Sequence, residues 1–168
     1  MTIQLRPATP GDHEAIAALV PRLRAFGAAP LRPAEALDNA ERETLERALN
    51  APDAEGVLLV AELPSVGLVG VAYGQTVTDY FTREQHGHLG ILAVSELAEG
   101  QGVGRALLAA VESWAHGRGY RFLTLNVFAA NARARAVYER AGFALDTLRY
   151  YKEIHAPDPD ASRAGHAR

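Results

Sequence analysis

Cysteine is absent from this chain of 168 residues, and lysine occurs once, at Lys152. Without cysteine the protein has no disulfides, no Cys-ligated zinc, no iron–sulfur centre and no thiol nucleophile. Without a glycine–lysine pair it has no Walker-type phosphate loop, so a P-loop nucleotidase is excluded. We expect no bound metal.

Long apolar runs and strong charge of one sign are missing as well. No stretch approaches the roughly 20 apolar residues of a membrane span, and the opening MTIQLRPATPGD lacks the charged and then apolar pattern of a signal peptide. The net charge is −3 and there is no basic block, which argues against a nucleic-acid partner. We therefore expect a cytoplasmic protein that binds neither a membrane nor nucleic acid.

The composition that is present suits one globular domain. Hydrophobic residues make up 48% of the chain, enough for a core at this length. We expect the domain to cover residues 1–154. The tail from His155, with two prolines, small residues and charges, is expected to be disordered.

Hydrophobic periodicity predicts alternating strands and helices. Strands are predicted at Ile3–Arg6, Val57–Leu63, Leu68–Thr78, Leu89–Val94 and Phe122–Phe128, with one or two more within Phe143–Ile154. Helices are predicted from Asp12 through Leu23, at Ala34–Leu49, from Val103 to Gly117 and from Asn131 to Gly142. The order β-α-α-β-β-β-α-β-α-β predicts an α/β (α+β mixed) fold whose sheet has about six or seven strands, partly antiparallel and partly parallel.

A glycine-rich turn at Glu99–Arg105 lies between an apolar strand and an amphipathic helix. Its glycines are Gly100, Gly102 and Gly104, and glycine lets a backbone come close to a ligand. The unpaired N–H groups at a helix N-terminus bind anions, commonly a diphosphate. Arg105 stands where the dinucleotide fingerprint needs a glycine, so that pattern fails. A tight turn without a ligand is the alternative interpretation.

A second segment, LNVFAANARARAVYERAGF, has a related organisation. An apolar strand leads to Asn131, Tyr138 follows seven residues later, and Gly142-Phe143 ends the helix. Two neighbouring strands, each followed by a loop and a helix, could diverge and hold a long thin ligand between them.

These two segments, Leu92–Leu108 and Leu125–Phe143, resemble the GNAT superfamily of N-acetyltransferases, and the resemblance covers about residues 3–154. It implies that acetyl-CoA binds between the Leu89–Val94 and Phe122–Phe128 strands and that an amine attacks the acetyl carbon directly, with no acyl-enzyme. The pantetheine arm would pair with the backbone of Leu92, Ala93 and Val94. The residues implied at the pyrophosphate are Gly100, Gln101, Gly102, Val103, Gly104 and Arg105.

The resemblance also implies roles for two residues of the second segment. Tyr138 would protonate the departing CoA thiolate, because a phenol with a pKa of about 10 can pass a proton to a thiolate over a short hydrogen bond. The alternative is a helix tyrosine packed on the sheet. Asn131 and Tyr138 would both face the thioester end of acetyl-CoA, although helix capping alone explains an asparagine at position 131.

The general base is harder to assign, since the strand Leu89–Val94 carries no carboxylate. His88 is our first candidate and His86 the second, because the histidine pKa near 6.5 suits a base. Either histidine could instead be an ordinary surface residue. A water held by a buried Asn126, with Asp79 collecting the proton, is a further alternative.

Glu99 departs from the family pattern, which usually has Arg or Gln at this position. A carboxylate there is expected to repel the CoA phosphates unless Arg105, Arg133 or Arg135 compensates. We therefore expect the substitution Glu99→Gln to tighten acetyl-CoA binding.

Aromatic side chains suggest two further surfaces. Tyr73, Tyr80, Phe81, Phe26 and the Gly27–Pro33 loop could line the acceptor pocket, and ordinary packing is the alternative. Tyr150 and Tyr151 could form the interface of a homodimer.

The sequence as a whole predicts an enzyme that moves an acetyl group from acetyl-CoA to a primary amine, with a small molecule as the acceptor. A protein N-terminus is the alternative acceptor. A non-catalytic acetyl-CoA-binding sensor or partner domain is the alternative function.

Overall fold

A computed structural model describes residues 2–27, 31–51 and 55–154. It divides into two compact units, Met1–Ala136 and Val137–Arg168. The predicted tail from His155, and positions 28–30 of the predicted Gly27–Pro33 loop, lie outside the described residues.

The first unit contains a five-stranded mixed sheet in the order β1-β2-β3-β4-β5. The strands are β1 (Gln4–Pro7), β2 (Val57–Leu63), β3 (Gly67–Thr78), β4 (Gln85–Val94) and β5 (Leu123–Leu125). Strands β1 to β4 pair antiparallel with their neighbours, whereas β5 is parallel to β4. This confirms the predicted mixed α/β fold.

The helices agree with the predicted order, but the first one is broken. They are α1 (His13–Ala17), α2 (Ala34–Asn50), α3 (Val103–Gly117) and α4 (Ala132–Arg140). After α1 the chain forms a separate 3₁₀ turn, Val20–Arg24. The prediction of one helix through Leu23 is wrong because Pro21 lacks an N–H and its ring clashes with the carbonyl of Ala17, one turn earlier.

The two faces of the sheet are covered by different helices. On one face, α1 and α2 pack on a core that includes Val60, Val71 and Ile91. On the other face, α3 lies close to the strands because glycines leave room for it. A Cβ at Gly70 would come within 2.9 Å of side-chain atoms of Leu107 and Val103. This close packing fixes the start of α3, and with it the glycine turn, against the sheet.

A bulge in β4 decides which side chains face which helix layer. Tyr73 is opposite Ile91 but Gly74 is opposite Leu89, so Gly90 is the extra residue. Beyond the bulge, Gly87 faces Ala115 and Trp114 of α3. Since neighbouring residues of a strand point to opposite faces, His86 and His88 face away from α3, on the side of the sheet that α1 and α2 cover.

β5 is shorter and more exposed than predicted. It comprises Leu123–Leu125 instead of Phe122–Phe128, and Phe122 is exposed. Among the described residues β5 pairs only with β4, so it is an edge strand and its residues are half-buried rather than buried on both faces. Asn126 lies beyond the strand and is exposed, which contradicts the expectation of a buried Asn126.

The second unit begins within α4. Gly142, with a φ of +95°, ends that helix as predicted, and the N–H of Phe143 donates to the carbonyl of Tyr138. No strand forms in the described residues of Phe143–Ile154. The described sheet therefore has five strands rather than the six or seven predicted.

Candidate functional site

β4 and β5 lie side by side for a short distance only. Their parallel pairing joins Gly87 to Leu123, His88 to Thr124 and Leu89 to Leu125, and then stops. β4 continues to Val94, and among the described residues no strand pairs with it on this side. The result is an open backbone edge that starts at the bulge and leads toward the glycine turn.

The pairing of β4 with β3 determines which backbone groups reach this open edge. The N–H of Ser95 donates to the carbonyl of Val69 (2.8 Å), so Ser95 faces β3. Backbone groups alternate in direction along a strand, and those of Leu92 and Val94 therefore face the open edge, while those of Ala93 face β3. The backbone groups of Ala93 are thus turned toward β3, which does not favour the predicted pairing of Ala93 with pantetheine.

The glycine turn leaves backbone N–H groups without helical partners. The N–H of Ala106 donates to the carbonyl of Gly102, the first such bond of α3. The N–H groups of Val103, Gly104 and Arg105 have no earlier carbonyl within the helix, and Gly102 has no side chain to cap them. Their partial positive charge suits an anion.

The other residues of the turn shape it. Gly100 and Gly102 have φ angles of +74° and +84°, a left-handed conformation that glycine adopts without strain. The N–H of Gln101 donates to the carbonyl of Ala98 (3.4 Å), and its side-chain amide donates to the carbonyl of Leu97 (2.8 Å). Gly100, Gln101 and Gly102 thus build the bend that presents the free N–H groups.

Glu99 is held between two arginines. Its Oε1 pairs with Arg22, and its Oε2 accepts a hydrogen bond from Nη2 of Arg133 at 2.8 Å. The bond from Arg133, with the nearby charges of both arginines, lowers the pKa of Glu99. The negative charge of Glu99 is therefore compensated in the structure. Arg133, one of the three arginines that the sequence analysis named for this role, bonds to Glu99.

Arg22 is a residue that the sequence did not reveal. It comes from the 3₁₀ turn after α1, and its Nε donates to the carbonyl of Val94 (3.3 Å) at the end of the open edge. The same guanidinium pairs with Glu96 and with Glu99, which is 77 positions away in the chain. A contact over that separation leaves no local pattern that could have indicated it.

The two candidate base residues share one partner. Nδ1 of His88 lies 2.9 Å from Oγ1 of Thr124, and Nε2 of His86 lies 3.2 Å from the same atom. Burial and, to a smaller extent, the neighbouring His86 lower the pKa of His88. His88 is therefore neutral at pH 7, just before the point where β4 and β5 separate. Thr124 had no sequence signal, because only the parallel register brings it to the histidines.

Asn131 caps α4 by accepting a hydrogen bond from the N–H of Ala134 at 3.0 Å. Phe128, shortly before it, stacks on Phe26 with ring centroids 4.9 Å apart, and the Arg32 guanidinium lies over the same ring. The segment after α1 therefore contacts both the end of β4, through Arg22, and the chain after β5. A contact between Asn131 and CoA stays a prediction.

Tyr138 belongs to the second unit and is described within it. Its ring packs edge-on against Phe143, with centroids 5.9 Å apart. Burial raises its pKa above the usual value near 10, so the phenol stays protonated at neutral pH. That is the protonation state a general acid needs.

Three of the residues suggested for an acceptor pocket do not share one surface. Tyr73 is buried in the core with Ile91, whereas Tyr80 and Phe81 are exposed at the β3–β4 loop. Asp79 accepts hydrogen bonds from the backbone of Phe81 and Thr82 and so shapes that loop. Ordinary packing explains Tyr73.

The described part of the chain holds no group of three or more His, Cys, Asp or Glu residues that could bind a metal ion. None of its helices is both long and apolar enough to cross a membrane.

Comparison with known proteins agrees with this geometry. A curated relative, the aminoglycoside N(6')-acetyltransferase type 1 of Stenotrophomonas maltophilia, is 34% identical over 94 residues, which are 54% of this chain and 61% of that protein. This chain thus matches less than two thirds of the relative's length.

Solved structures share the fold. An aminoglycoside antibiotic 6'-N-acetyltransferase from Acinetobacter baumannii superposes with a TM-score of 0.70 and 14% identity, covering 92% of this chain and 100% of the other. An aminoglycoside N-acetyltransferase in complex with a CoA bisubstrate analogue gives 0.67 and 19% over 92% and 100% of the two chains. At these identities the likeness shows the fold alone.

The decisive comparison is with a family model. Residues 24–143 match the model of the acetyltransferase (GNAT) family, and this range includes the open edge, the glycine turn and Tyr138. The chain belongs to the GNAT family of acetyltransferases.

Proposed function

We propose that this protein is an N-acetyltransferase that moves an acetyl group from acetyl-CoA to a primary amine of a small molecule. The observation that carries the proposal is the open edge of β4 that leads into the glycine turn. An extended hydrogen-bonding edge followed by an anion site matches a ligand with a peptide-like arm and a diphosphate.

The residues present fit acetyl-CoA along its length. The backbone groups of Leu92 and the N–H of Val94, whose carbonyl already accepts from Arg22, bind the pantetheine arm in the manner of an added strand. The N–H groups of Val103, Gly104 and Arg105 hold the diphosphate. Arg133, whose side chain is 70% exposed beside Glu99, adds a positive charge at the same place.

The protein's own groups handle the protons of the reaction. Bound acetyl-CoA supplies an acetyl group activated as a thioester. His88, neutral at pH 7, accepts a proton from the acceptor amine, while Tyr138, protonated at the same pH, gives one to the departing thiolate. Formation of the C–N bond thus releases one proton to His88, and cleavage of the C–S bond takes one proton from Tyr138.

The acceptor is a small molecule with a primary amine. The matched relative from Stenotrophomonas maltophilia is named for acetylation of aminoglycosides, so aminoglycosides belong at the head of a test panel. Two features favour the non-catalytic sensor alternative: repulsion between Glu99 and the CoA phosphates, and the lack of a carboxylate base on Leu89–Val94. Because Glu99 is paired with two arginines, the first of these no longer applies.

A thermal-unfolding experiment with ligands tests the binding part of the proposal. Acetyl-CoA at 100 times its Kd should stabilise the fold by about 2.7 kcal/mol. Desulfo-CoA should act similarly, since it keeps the pantetheine and the diphosphate, and ATP is the control. Absence of stabilisation by acetyl-CoA would refute the proposed site.

Release of CoA thiol over a panel of amines then tests the catalytic part. We expect acetyl-CoA-dependent release with at least one small-molecule amine, and no release above background when the amine is omitted. If acetyl-CoA stabilises the fold but CoA thiol is not released with any small amine or N-terminal peptide as the acceptor, the sensor function is favoured. That result would contradict the proposed enzyme.

A further inference from the structure

Thr124 is placed where it contacts both candidate bases at once. Its Oγ1 lies 2.9 Å from Nδ1 of His88, 3.2 Å from Nε2 of His86 and 3.4 Å from the carbonyl oxygen of Gly87. Thr124 is directly opposite His88 in the β4–β5 register, one residue before the pairing of the two strands ends. The hydroxyl therefore lies where β4 and β5 are still paired, next to the start of the open edge of β4.

The number of available protons limits how the Thr124 hydroxyl, the two imidazoles and the Gly87 carbonyl can form hydrogen bonds with one another. A threonine hydroxyl donates one hydrogen bond and accepts two, and a neutral imidazole carries one N–H. The carbonyl of Gly87 has no proton, so it can only accept. All contacts are satisfied together when Thr124 donates to Gly87 and accepts from both His86 and His88.

That arrangement fixes the tautomer of His88. We propose that Thr124 is a positioning residue that holds neutral His88 with its proton on Nδ1, leaving Nε2 as the atom that accepts the proton of the acceptor amine. The catalytic use of Nε2 rests on the proposed function, whereas the tautomer itself does not. In the reverse arrangement, with Thr124 donating to Nδ1, the proton of His88 would be on Nε2 and no lone pair would be available there.

The proton transfer balances without any movement of Thr124. The proton leaves the amine nitrogen and forms a bond to Nε2, which gives an imidazolium with two N–H groups. Its Nδ1–H still donates to Oγ1, because Thr124 accepts in both protonation states. The imidazolium then loses the same proton from Nε2 to water before the next turnover.

Burial lowers the pKa of His88 more than its charged neighbour does. On β4 the neighbouring His86 disfavours a second positive charge, and Asp79 of the β3–β4 loop interacts with His86. The residue opposite His88 on β3 is Gln75, and its partner on β5 is Thr124, both uncharged. The charged residues of the 3₁₀ turn that contacts β4 are ion-paired: Arg22 with Glu96 and Glu99, and Arg24 with Asp38.

Nitrogen-15 NMR of the histidine rings tests the tautomer directly, in the free protein at a pH where both rings are neutral. We expect a protonated Nδ1 and an unprotonated Nε2 at His88 in the wild type. Thr124→Val keeps the shape but removes the acceptor, and should shift His88 toward the Nε2–H tautomer. Thr124→Ser, the matched control, should retain the wild-type pattern. An Nε2–H tautomer in the wild type would overturn the proposal.

The pH profile of kcat/KM gives a second readout that a purely structural role would not move. Thr124→Val should lower the plateau about tenfold and move the acidic limb to lower pH, because the imidazolium loses a hydrogen bond. His86→Gln should move that limb to higher pH, because a neighbouring positive charge is removed. Equal profiles for wild type and Thr124→Val would contradict the positioning role.

The two experiments separate this inference from the proposed function. If no amine is acetylated, the proposed function fails, and NMR still reports the tautomer. If acetylation occurs but His88 has its proton on Nε2, the role of Thr124 fails while the enzyme assignment stands.

Discussion

At the scale of single residues, Glu99 is a carboxylate held at the glycine turn by ion pairs with Arg22 and Arg133. It begins the glycine turn and bonds to Arg133, whose exposed guanidinium has further donors to offer a phosphate. We therefore predict that Glu99→Gln weakens acetyl-CoA binding by about threefold, the scale of an exposed ion pair, because Arg133 is no longer held at the turn. Isothermal titration of acetyl-CoA measures this.

The matched control for this change is Glu96→Gln. Glu96 also pairs with Arg22, but its side chain is 76% exposed and does not bond to Arg133. We expect its substitution to leave acetyl-CoA affinity close to that of the wild type. If Glu99→Gln instead binds acetyl-CoA more tightly, Glu99 repels the CoA phosphates as expected from the sequence. The position of Arg133 at the turn would then not depend on Glu99.

Tyr138 gives a prediction about chemistry rather than binding. If its protonated phenol supplies the thiolate with a proton, Tyr138→Phe should lower kcat by at least about tenfold and leave acetyl-CoA affinity nearly unchanged. Because burial raises the phenol pKa above 10, the wild type should keep this acid through pH 9. Tyr150→Phe, at an exposed position, is the control. Unchanged turnover in Tyr138→Phe would remove the assignment.

What the sequence could predict at this scale depends on how local the signal is. The glycine turn and Asn131 were predictable, because a turn and a helix cap are made by residues close together in the chain. Arg22 and Thr124 were not, because each reaches the site through a tertiary contact. Glu99 shows the consequence, since the sequence named Arg133 as a possible partner but gave no sign of Arg22.

At the scale of elements, the start of α3 separates a folding role of glycine from a binding role. A Cβ at Gly104 would meet just one atom within 4 Å, the Cγ2 of Val94 at 3.6 Å, an ordinary contact. The fold therefore does not need glycine there, and alanine should stabilise the helix by up to about 1 kcal/mol. We predict that Gly104→Ala keeps or raises the melting temperature but weakens acetyl-CoA binding, because the diphosphate approaches this backbone closely.

The same substitution at Gly70 should have the opposite signature. Its Cβ would lie 2.9 Å from atoms of Leu107 and Val103, so α3 would have to move away from β3. We expect a loss of about 1–3 kcal/mol in the free energy of unfolding, as for an overpacked core. Chemical denaturation and acetyl-CoA titration of both variants make the comparison. Unchanged affinity in Gly104→Ala would show that the diphosphate does not contact this position.

Hydrophobic periodicity predicted the helices and strands that have a face packed against the core. It misplaced the ends of elements that have no such face. The β2 strand and α3 were predicted at nearly their observed bounds, because each has a regular apolar pattern. In β2 the pattern is set by packing on both faces of the sheet, and in α3 by packing of one helix face. The single helix through Leu23 failed because the apolar spacing continued across Pro21, whose effect is on the backbone. β5 was overestimated because an apolar run does not reveal where its neighbouring strand turns away.

At the scale of the whole molecule, the second unit carries an unusual amount of exposed apolar surface. Five large apolar side chains within its last described residues are more than half exposed: Leu145, Leu148, Tyr150, Tyr151 and Ile154. Single exposed apolar residues are normal, whereas several within ten residues of chain are typical of an interaction surface. We propose that a second copy of the chain covers this segment.

Light scattering coupled to size-exclusion chromatography tests the homodimer. We predict a mass of about twice the 18.0 kDa of one chain, and a shift toward one chain mass when Tyr150→Ser and Tyr151→Ser are combined, because serine removes most of the apolar area that association would bury. Tyr80→Ser, at an aromatic residue exposed elsewhere in the fold, is the control and should not change the mass. A wild-type protein that elutes with the mass of one chain at micromolar concentration would contradict the dimer.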